Sequence, residues 1–367
     1  MTQTIIIGGG LTGLFLAHRL HGGGHNVTLL EANESLGGRY RRPNQAMPYS
    51  SPGLDFIPAN PEQMALLEWL RNLSPIPLSF AIYEHQPLVF MDGKWKTFAG
   101  FGDVGFQSVG ELSANFSHTQ GVTLTPGLEH LTRALVEQLP IEAQTMSQVT
   151  GLKLKEGKVV EVIVNGDKAL RADNFIFTPH PIELNTLIEG EDLPVKHRTR
   201  LAKMQSWTSV TLELPHPAPL ADTPALHFFF HGAKEFEPIV GRIFPAHSKW
   251  LTLVPGDREA DHEFAGQCIR HIKRQLKRAW PQAFDPATAG PGASGQEKIF
   301  IQAHAYGQHS LRTKESFRFP EISNLYLANH ALASVPGDLA ALDTVRTLEK
   351  ELCAASSNKL PELGASC

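Results

Sequence analysis

The sequence predicts an α/β protein in which a Rossmann-like dinucleotide-binding domain is interleaved with an α+β domain built on a mostly antiparallel sheet. Three observations carry that expectation: a strand, glycine turn, helix and second strand at the N-terminus; two later stretches of short strands joined by proline-bearing connections; and an apolar strand followed by a glycine-led helix start near the end. The expected division is residues 1–75, 121–205 and 296–367 for the first domain and 76–120 and 206–295 for the second.

Thr4-Ile5-Ile6-Ile7 is a β-branched run that meets Gly8, Gly10 and Gly13 in G-x-G-x-x-G spacing. Gly8 lets the backbone turn, Gly10 lets it approach a pyrophosphate, and Gly13 lets the next helix pack on the strand. Leu11 and Thr12 open that helix, whose first N–H groups face the phosphates. Over residues 11–20 Leu14, Leu16, Ala17 and Leu20 point to a sheet, and His21-Gly22-Gly23-Gly24 ends the helix. A strand over residues 26–30 finishes at Glu31, 18 residues after Gly13, where a carboxylate accepts from an adenosine ribose. NAD and FAD share that ribose hydroxyl, so the fingerprint alone leaves both open.

Just past the acid, Glu31-Ala32-Asn33-Glu34-Ser35-Leu36-Gly37-Gly38-Arg39 resembles the E-x6-G-G-R extension of the flavin amine oxidase superfamily, which also holds phytoene desaturases, protoporphyrinogen oxidases and renalase-like proteins. The resemblance implies FAD. Ala32 joins Glu31 among the implied contacts, Gly37-Gly38 would form a tight corner beside the phosphates, and Arg39 would present a forked cation to a pyrophosphate oxygen. The sequence has nothing like the cysteine that some members link to flavin, so the cofactor is expected to be non-covalent.

The family's D-x-G-x-x passage along the flavin ring is kept only loosely, as Ser51-Pro52-Gly53, which leaves Gly53 as the expected contact. Tyr40-Arg41-Arg42 adds cations that serve either the phosphates or solvent. Pro61 starts a helix with Met64, Leu67, Leu70 and Leu73 on one face, closed by Ser74-Pro75-Ile76-Pro77. Short strands follow over residues 78–83 and 88–90, with Asp92-Gly93 as a turn. Residues 98–106, rich in Gly and Phe, read either as a loop lining a pocket or as a surface loop anchored by its phenylalanines.

Thr125-Pro126-Gly127-Leu128 resembles the family's segment leading back to the cofactor domain, and Leu128, Leu131, Leu135 and Leu139 share a helix face. Residues 149–154 and 159–164 pair as strands, Asn165-Gly166-Asp167 being a turn signal. By resemblance the backbone of Val149 holds the adenine, and Asp173-Asn174-Phe175-Ile176-Phe177-Thr178-Pro179 is the strand that brings Thr178 to the cofactor.

The second excursion, from near Met204, carries strands at 210–214, 226–230, 239–244 and 250–254. Phe228-Phe229-Phe230 implies burial on both faces or one face in a ligand cavity. Residues 261–280 form the strongest helical pattern: Phe264, Cys268, Ile269, Ile272, Leu276 and Ala279 oppose Arg270, Lys273, Arg274, Lys277 and Arg278. That basic side is a solvated face or a peripheral contact with an anionic membrane. Residues 281–295 read as a loop.

The return to the cofactor domain runs through residues 298–305 and ends in Asn324-Leu325-Tyr326-Leu327-Ala328-Asn329-His330, which resembles the family's N-L-Y-L-A-G-D strand with Asn329 and His330 in place of Gly and the acid. Gly337, Asp338 and Leu339 then lie where a helix start approaches the flavin by resemblance, with Asp338 also readable as a helix N-cap. By resemblance, since relatives place aromatic residues on the segment before the last cofactor strand, His304, Tyr306 and His309 are the polar candidates for the substrate pocket; His304 and Tyr306 are the expected catalytic pair, His304 able to move a proton or to serve structure alone.

Composition excludes several classes. A net charge of −4 with 19% charged residues gives no field for nucleic acid, and no apolar run reaches the roughly 18 residues of a membrane span. Cys268, Cys353 and Cys367 are too few and too far apart for a disulfide framework or zinc site, so no metal is expected. A core strand within four residues of the start leaves no room for a secretory signal, and a cytoplasmic protein is expected.

The resemblance thus implies an FAD oxidoreductase taking a hydride from a C–H of a small or apolar substrate and passing electrons to oxygen, a quinone or NAD(P). The family's lysine on the first substrate-domain strand is missing from Ser206-Trp207-Thr208-Ser209-Val210-Thr211, which argues against amine oxidation specifically. The alternative is an inactive relative that uses the fold to bind a lipid or protein partner.

Overall fold

The computed structural model describes residues 1–41, 51–190, 192–216, 220–221, 225–230, 235–256, 261–282, 297–307, 319 and 321–357. Arg42, most of the 281–295 stretch, His309 and Cys367 lie outside them.

Five parallel strands make the first sheet, in the order Leu325–Leu327, Asn174–Phe177, Gln3–Ile7, Asn26–Leu30, Ala143–Gln144. Both of its faces are covered, which is why its strands read as nearly unbroken apolar runs. Ile6, Leu29 and Ile176 meet the helices Leu11–Gly22 and Ala340–Ser357 on one face. Their neighbours Ile5, Leu30 and Phe175 pack on the other face against Leu152, Val162 and Val164 of the antiparallel strands Val149–Lys155 and Lys158–Val164. A strand alternates its side chains, so adjacent residues serve different cores.

The second sheet has seven strands, in the order Lys298–Gly307, Ser206–Pro215, His247–Pro255, Ile239–Ile243, Leu226–Phe229, Leu88–Met91, Lys94–Thr97. All pairings are antiparallel except Leu226–Phe229 with Leu88–Met91. Phe228 and Phe229 point to opposite faces and both are buried, Phe228 with Phe98 and Phe101, Phe229 with Trp250 and the helix His262–Ala279. Phe98 stacks on Phe228 with centroids 4.1 Å apart, and Phe98 and Phe101 are buried, so the Gly/Phe segment is anchored in core by its phenylalanines. The basic helix is capped by Asp261, whose carboxylate accepts from the Phe264 N–H at 2.9 Å. Arg270, Lys273, Arg274, Lys277 and Arg278 are exposed, and Lys273 meets Glu297 at 2.7 Å.

Three expectations change here. The strand Lys298–Gly307 does not lead back into the first sheet; it pairs with Ser206–Pro215 as an edge of the second, and the chain returns only at Leu325. A β-branched, half-exposed run fits any free sheet edge, so its partner cannot be read from its own pattern. Asp338 is not the helix N-cap, because the helix begins at Ala340, two residues further on. The helix Pro61–Leu73 starts where Pro61 implied, with Asn60 Oδ1 accepting from the Gln63 N–H at 2.9 Å, but its buried face is Gln63, Leu66, Leu67 and Leu70.

Candidate functional site

The carboxyl ends of the five parallel strands gather the glycine turn, the segment 31–41, residues 178–183 and the start of the last helix around a cavity of about 1030 Å³. Its opposite wall is the strand Lys298–Gly307 of the second sheet, so the two sheets enclose it between them.

The three glycines of the turn have different reasons to be glycine. Gly8 has φ 101°, and a Cβ there would lie 2.4 Å from Thr178 Oγ1. A Cβ on Gly13 would stand 1.9 Å from the Gly8 carbonyl oxygen, a collision with backbone. Gly10 differs: φ is −75°, open to any residue, and its Cβ would meet only Gly38 Cα, at an ordinary 3.7 Å. Protein packing therefore does not require glycine at 10. Gly10 lies on the cavity wall, where a missing side chain leaves backbone open to a ligand.

Gly38 interlocks with this turn from the other side. Its φ is 55°, its Cβ would fall 2.8 Å from Gly10 Cα, and the Gly37 N–H donates to the Gly9 carbonyl at 2.8 Å. Glu31 secures the turn: Oε2 accepts from the Gly9 N–H at 2.8 Å, while Oε1 accepts from the Asn33 N–H at 2.8 Å and its Nδ2 at 2.6 Å. This buried carboxylate is committed to the protein before any ligand arrives.

A second cluster faces the cavity from the seven-stranded sheet. Trp207 pairs with Tyr306 and Ser209 with Gln302, leaving Ala303, His304 and Ala305 opposite the single residue Thr208. This three-against-one bulge holds His304 at φ 48°, a strained conformation for a non-glycine residue. His304 Nδ1 is 2.8 Å from Ser206 Oγ, and its ring stacks on His180 with centroids 4.3 Å apart. His180 Nδ1 accepts from the Ile182 N–H at 3.4 Å, which assigns the neutral ring's proton to Nε2. Burial, aided by His304, pushes His180 down to about 3, so it is a neutral ring.

Near the last helix the wall is ionic. Arg39 and Asp338 both line the cavity, with Tyr40 and Tyr306 buried beside them. Burial opposes the Arg39 charge, but Tyr40, Asp338 and Tyr306 outweigh it and raise the pKa further. Burial lifts the phenols of Tyr40 and Tyr306 well above their usual value, helped by Asp338, so both keep their protons. Behind them Lys249, 3% exposed, donates to Asp55 Oδ2 at 2.6 Å and to the Ser51 carbonyl at 2.8 Å. Arg242 donates to the Asp55 carbonyl, and Asp55 itself has φ 53°. These bonds hold the segment carrying Gly53 against Asp338.

Residues 6–56 match the NAD(P)-binding Rossmann-like domain family. Over 37 residues the chain is 57% identical to an L-amino-acid oxidase of Notechis scutatus scutatus, a match spanning 10% of this chain and 7% of that protein. Solved structures are similar over nearly the whole length. Cyclohexylamine oxidase from Brevibacterium oxydans IH-35A superposes with a TM-score of 0.66 at 14% identity, covering 97% of this chain and 99% of that one. The chain has the amine oxidase fold. An oxidoreductase from Methanosarcina mazei shares it, with a TM-score of 0.65 at 13% identity over 95% of this chain and 100% of its own.

Within this amine oxidase fold the residues singled out in the sequence separate into two groups. Gly10, Leu11, Thr12, Gly38, Arg39, Thr178, Asn329, His330, Asp338 and His304 line the cavity. Gly8, Gly13, Glu31 and Gly37 stand behind its wall as parts of the turn. Ala32 is exposed, Leu339 is core, and Gly53 and Gly337 flank Asp338 or its helix start without reaching the wall. Val149 pairs with Val164 at the start of its strand and is not on the cavity wall, while Ser147, two residues earlier, donates its N–H to the Glu31 carbonyl at 2.8 Å. Tyr306 packs on Phe116 in the aromatic core, with centroids 6.1 Å apart.

Asn329 spends its side chain on the protein: Oδ1 accepts from the Ala331 N–H at 2.9 Å and Nδ2 donates to the carbonyls of Thr178 and Pro179 at 3.1 and 3.2 Å. Reading the sequence missed His180, Gln302 and the Lys249–Asp55 pair. Only His180 had a signal, its place just past a parallel strand's carboxyl end, where ligands of such sheets bind. Among the described residues no group of His, Cys, Asp or Glu is placed to hold a metal ion, and no helix is long and apolar enough to cross a membrane.

Proposed function

We propose that this protein is an FAD-dependent oxidoreductase that removes a hydride from a C–H of a small or apolar substrate. The observation that carries the reading is Gly10: a glycine that neither backbone strain nor protein packing requires, on the wall of a large cavity at the N-terminus of the helix Leu11–Gly22. Such a position suits close approach of a pyrophosphate to backbone N–H groups. Arg39, on the same wall, supplies the forked cation for it, and Glu31 keeps the turn shaped for the adenosine side.

FAD, when bound, supplies the hydride acceptor; the chain binds it, orients the substrate and excludes water. His304 is placed by its bulge and by Ser206 to hold a proton at the cavity wall, with His180 as a neutral stacking partner. Tyr306, a buried phenol that keeps its proton, supports the wall from behind. The similarity to amine oxidases supports an oxidase-type reaction, with a small-molecule substrate and an electron acceptor drawn from oxygen, quinones or NAD(P). We divide the chain as residues 1–75, 121–205 and 296–367 for FAD and 76–120 and 206–295 for substrate, with the strand Lys298–Gly307 moved to the substrate side. The compartment we assign is the cytoplasm, and the exposed cationic face of the helix His262–Ala279 is where any peripheral membrane contact would fall.

The visible spectrum of the purified protein tests the proposal. A flavin spectrum, or its appearance on adding FAD, is the expected result. A colourless protein that takes up no FAD would overturn it and favour the inactive binding relative, the reading to which the internally spent Asn329 side chain is suited.

A further inference from the structure

Asp338 is 8% exposed and lies on the cavity wall two residues ahead of the helix Ala340–Ser357. Among the described residues it makes no hydrogen bond and no ion pair. The fold nevertheless makes room for it, because a Cβ on Gly53 would stand 3.1 Å from Asp338 Oδ1 and 3.2 Å from Oδ2. A carboxyl group is thus held at the cavity wall by packing, with both oxygens against Gly53 and, among the described residues, no hydrogen-bond partner. A buried anion in that position is costly, whereas a neutral carboxylic acid keeps one O–H to donate.

The groups acting on Asp338 come from every element around it. Arg39 and Tyr40 belong to the turn Gly38–Tyr40, Asp55 to the segment that also bears Gly53, Lys249 to the strand His247–Pro255, Tyr306 to the strand Lys298–Gly307 and Glu129 to the helix Leu128–Glu137. Lys249 is already committed to Asp55 and Ser51. Burial, supported by Asp55 and Glu129, outweighs the pull of Arg39 and Lys249 and raises the Asp338 carboxyl above its ordinary range.

We infer that Asp338 works as a carboxylic acid whose O–H donates to a hydrogen-bond acceptor on the ring system of the bound cofactor. The inference rests on the FAD reading above. It turns a residue that looks wrongly charged for a site gaining electrons into one suited to it, since an acid O–H stabilises negative charge growing on its acceptor and a carboxylate opposes it. The proton stays on Asp338, and no bond is made or broken.

Two variants and two measurements decide it. Asp338→Asn keeps a donor of the same shape without an ionisable proton, and Asp338→Leu removes the donor. In denaturant unfolding of the FAD-free proteins, wild type should lose stability relative to Asp338→Asn as pH rises from the ordinary aspartate value of about 3.9 until the folded carboxyl has ionised. The sign follows from linkage: the folded chain holds the Asp338 proton to higher pH than the unfolded chain does. A wild-type-to-Asn difference constant with pH would overturn the inference. In flavin fluorescence titrations, Asp338→Asn should bind FAD within about threefold of wild type at the acid end and show no pH slope. Wild-type affinity should fall about tenfold per pH unit once Asp338 ionises. Asp338→Leu should lose at least about tenfold at every pH. FAD affinity in the Leu variant equal to wild type, or a pH slope in the Asn variant equal to wild type, would also overturn it. If none of the three proteins takes up FAD, the cofactor reading fails and the ring falls as acceptor, while the unfolding comparison still decides whether Asp338 keeps its proton.

Discussion

Replacing Gly10 by Ala separates the two reasons for which the glycines of the turn exist. The added methyl would have Gly38 Cα as its nearest protein neighbour, at 3.7 Å, and φ of −75° suits alanine. The structural cost reduces to the preference for glycine over alanine at a helix N-cap, about 1 kcal/mol or less. The ligand cost is different in kind, because the methyl occupies cavity space at the helix N-terminus. FAD affinity should fall by at least about tenfold, or roughly 1.4 kcal/mol, and by more if the pyrophosphate sits directly on the backbone. Gly13→Ala is the control: its Cβ would lie 1.9 Å from the Gly8 carbonyl oxygen, so it should lose the fold and FAD binding together. Denaturant unfolding without ligand, followed by flavin titration, reads both quantities. The reasoning is refuted if Gly10→Ala binds FAD like wild type, and equally if its unfolding midpoint drops as far as that of Gly13→Ala.

Glu31→Ala leaves the Gly9 N–H without its acceptor and should cost about 1–3 kcal/mol in FAD-free protein; unchanged stability would remove Glu31 as the anchor of the turn. Gly38→Ala combines φ 55° with a Cβ 2.8 Å from Gly10 Cα and should weaken both fold and flavin binding; wild-type unfolding would show that the interlock with Gly10 is not needed. His304→Ala should slow flavin reduction by about 10²-fold or more in stopped-flow with any compound that bleaches wild-type flavin, and a normal rate excludes His304 from proton handling. Glu321 is bonded to Lys196 and to His197, the latter at 2.6 Å, and these bonds, that of Lys196 foremost, hold its carboxyl down to about 2. A lowered carboxyl pKa stabilises above the ordinary Glu range and loses that contribution as pH falls toward about 2. Glu321→Gln should therefore be less stable than wild type near neutrality, with the gap closing in acid; a gap unchanged by pH would place the effect elsewhere.

The sequence by itself determined what depends on neighbours along the chain. Gly8, Gly10 and Gly13 mark the turn because φ, close packing and ligand approach are local demands, and Asn60 before Pro61 and Asp261 before its helix are caps that only the next residues need satisfy. The strands at residues 4–7 and 174–177 carry three apolar residues in a row after Thr4 and Asn174, a pattern visible in the sequence whose cause is a sheet with neither face in water. Tertiary structure decided which distant pieces meet. A strand pattern cannot name the edge it joins, so the place of Lys298–Gly307, and with it the bulge that strains His304 and brings it onto His180, could not be read. A polar residue in a sequence does not show whether a partner awaits it, so only the folded chain distinguishes Asn329, bonded to its own chain's backbone, from Asp338, packed against Gly53 on the cavity wall without a hydrogen-bond partner among the described residues. Burial and hydrogen bonding are sums over all neighbours in space, and those neighbours come from elements far apart in the chain.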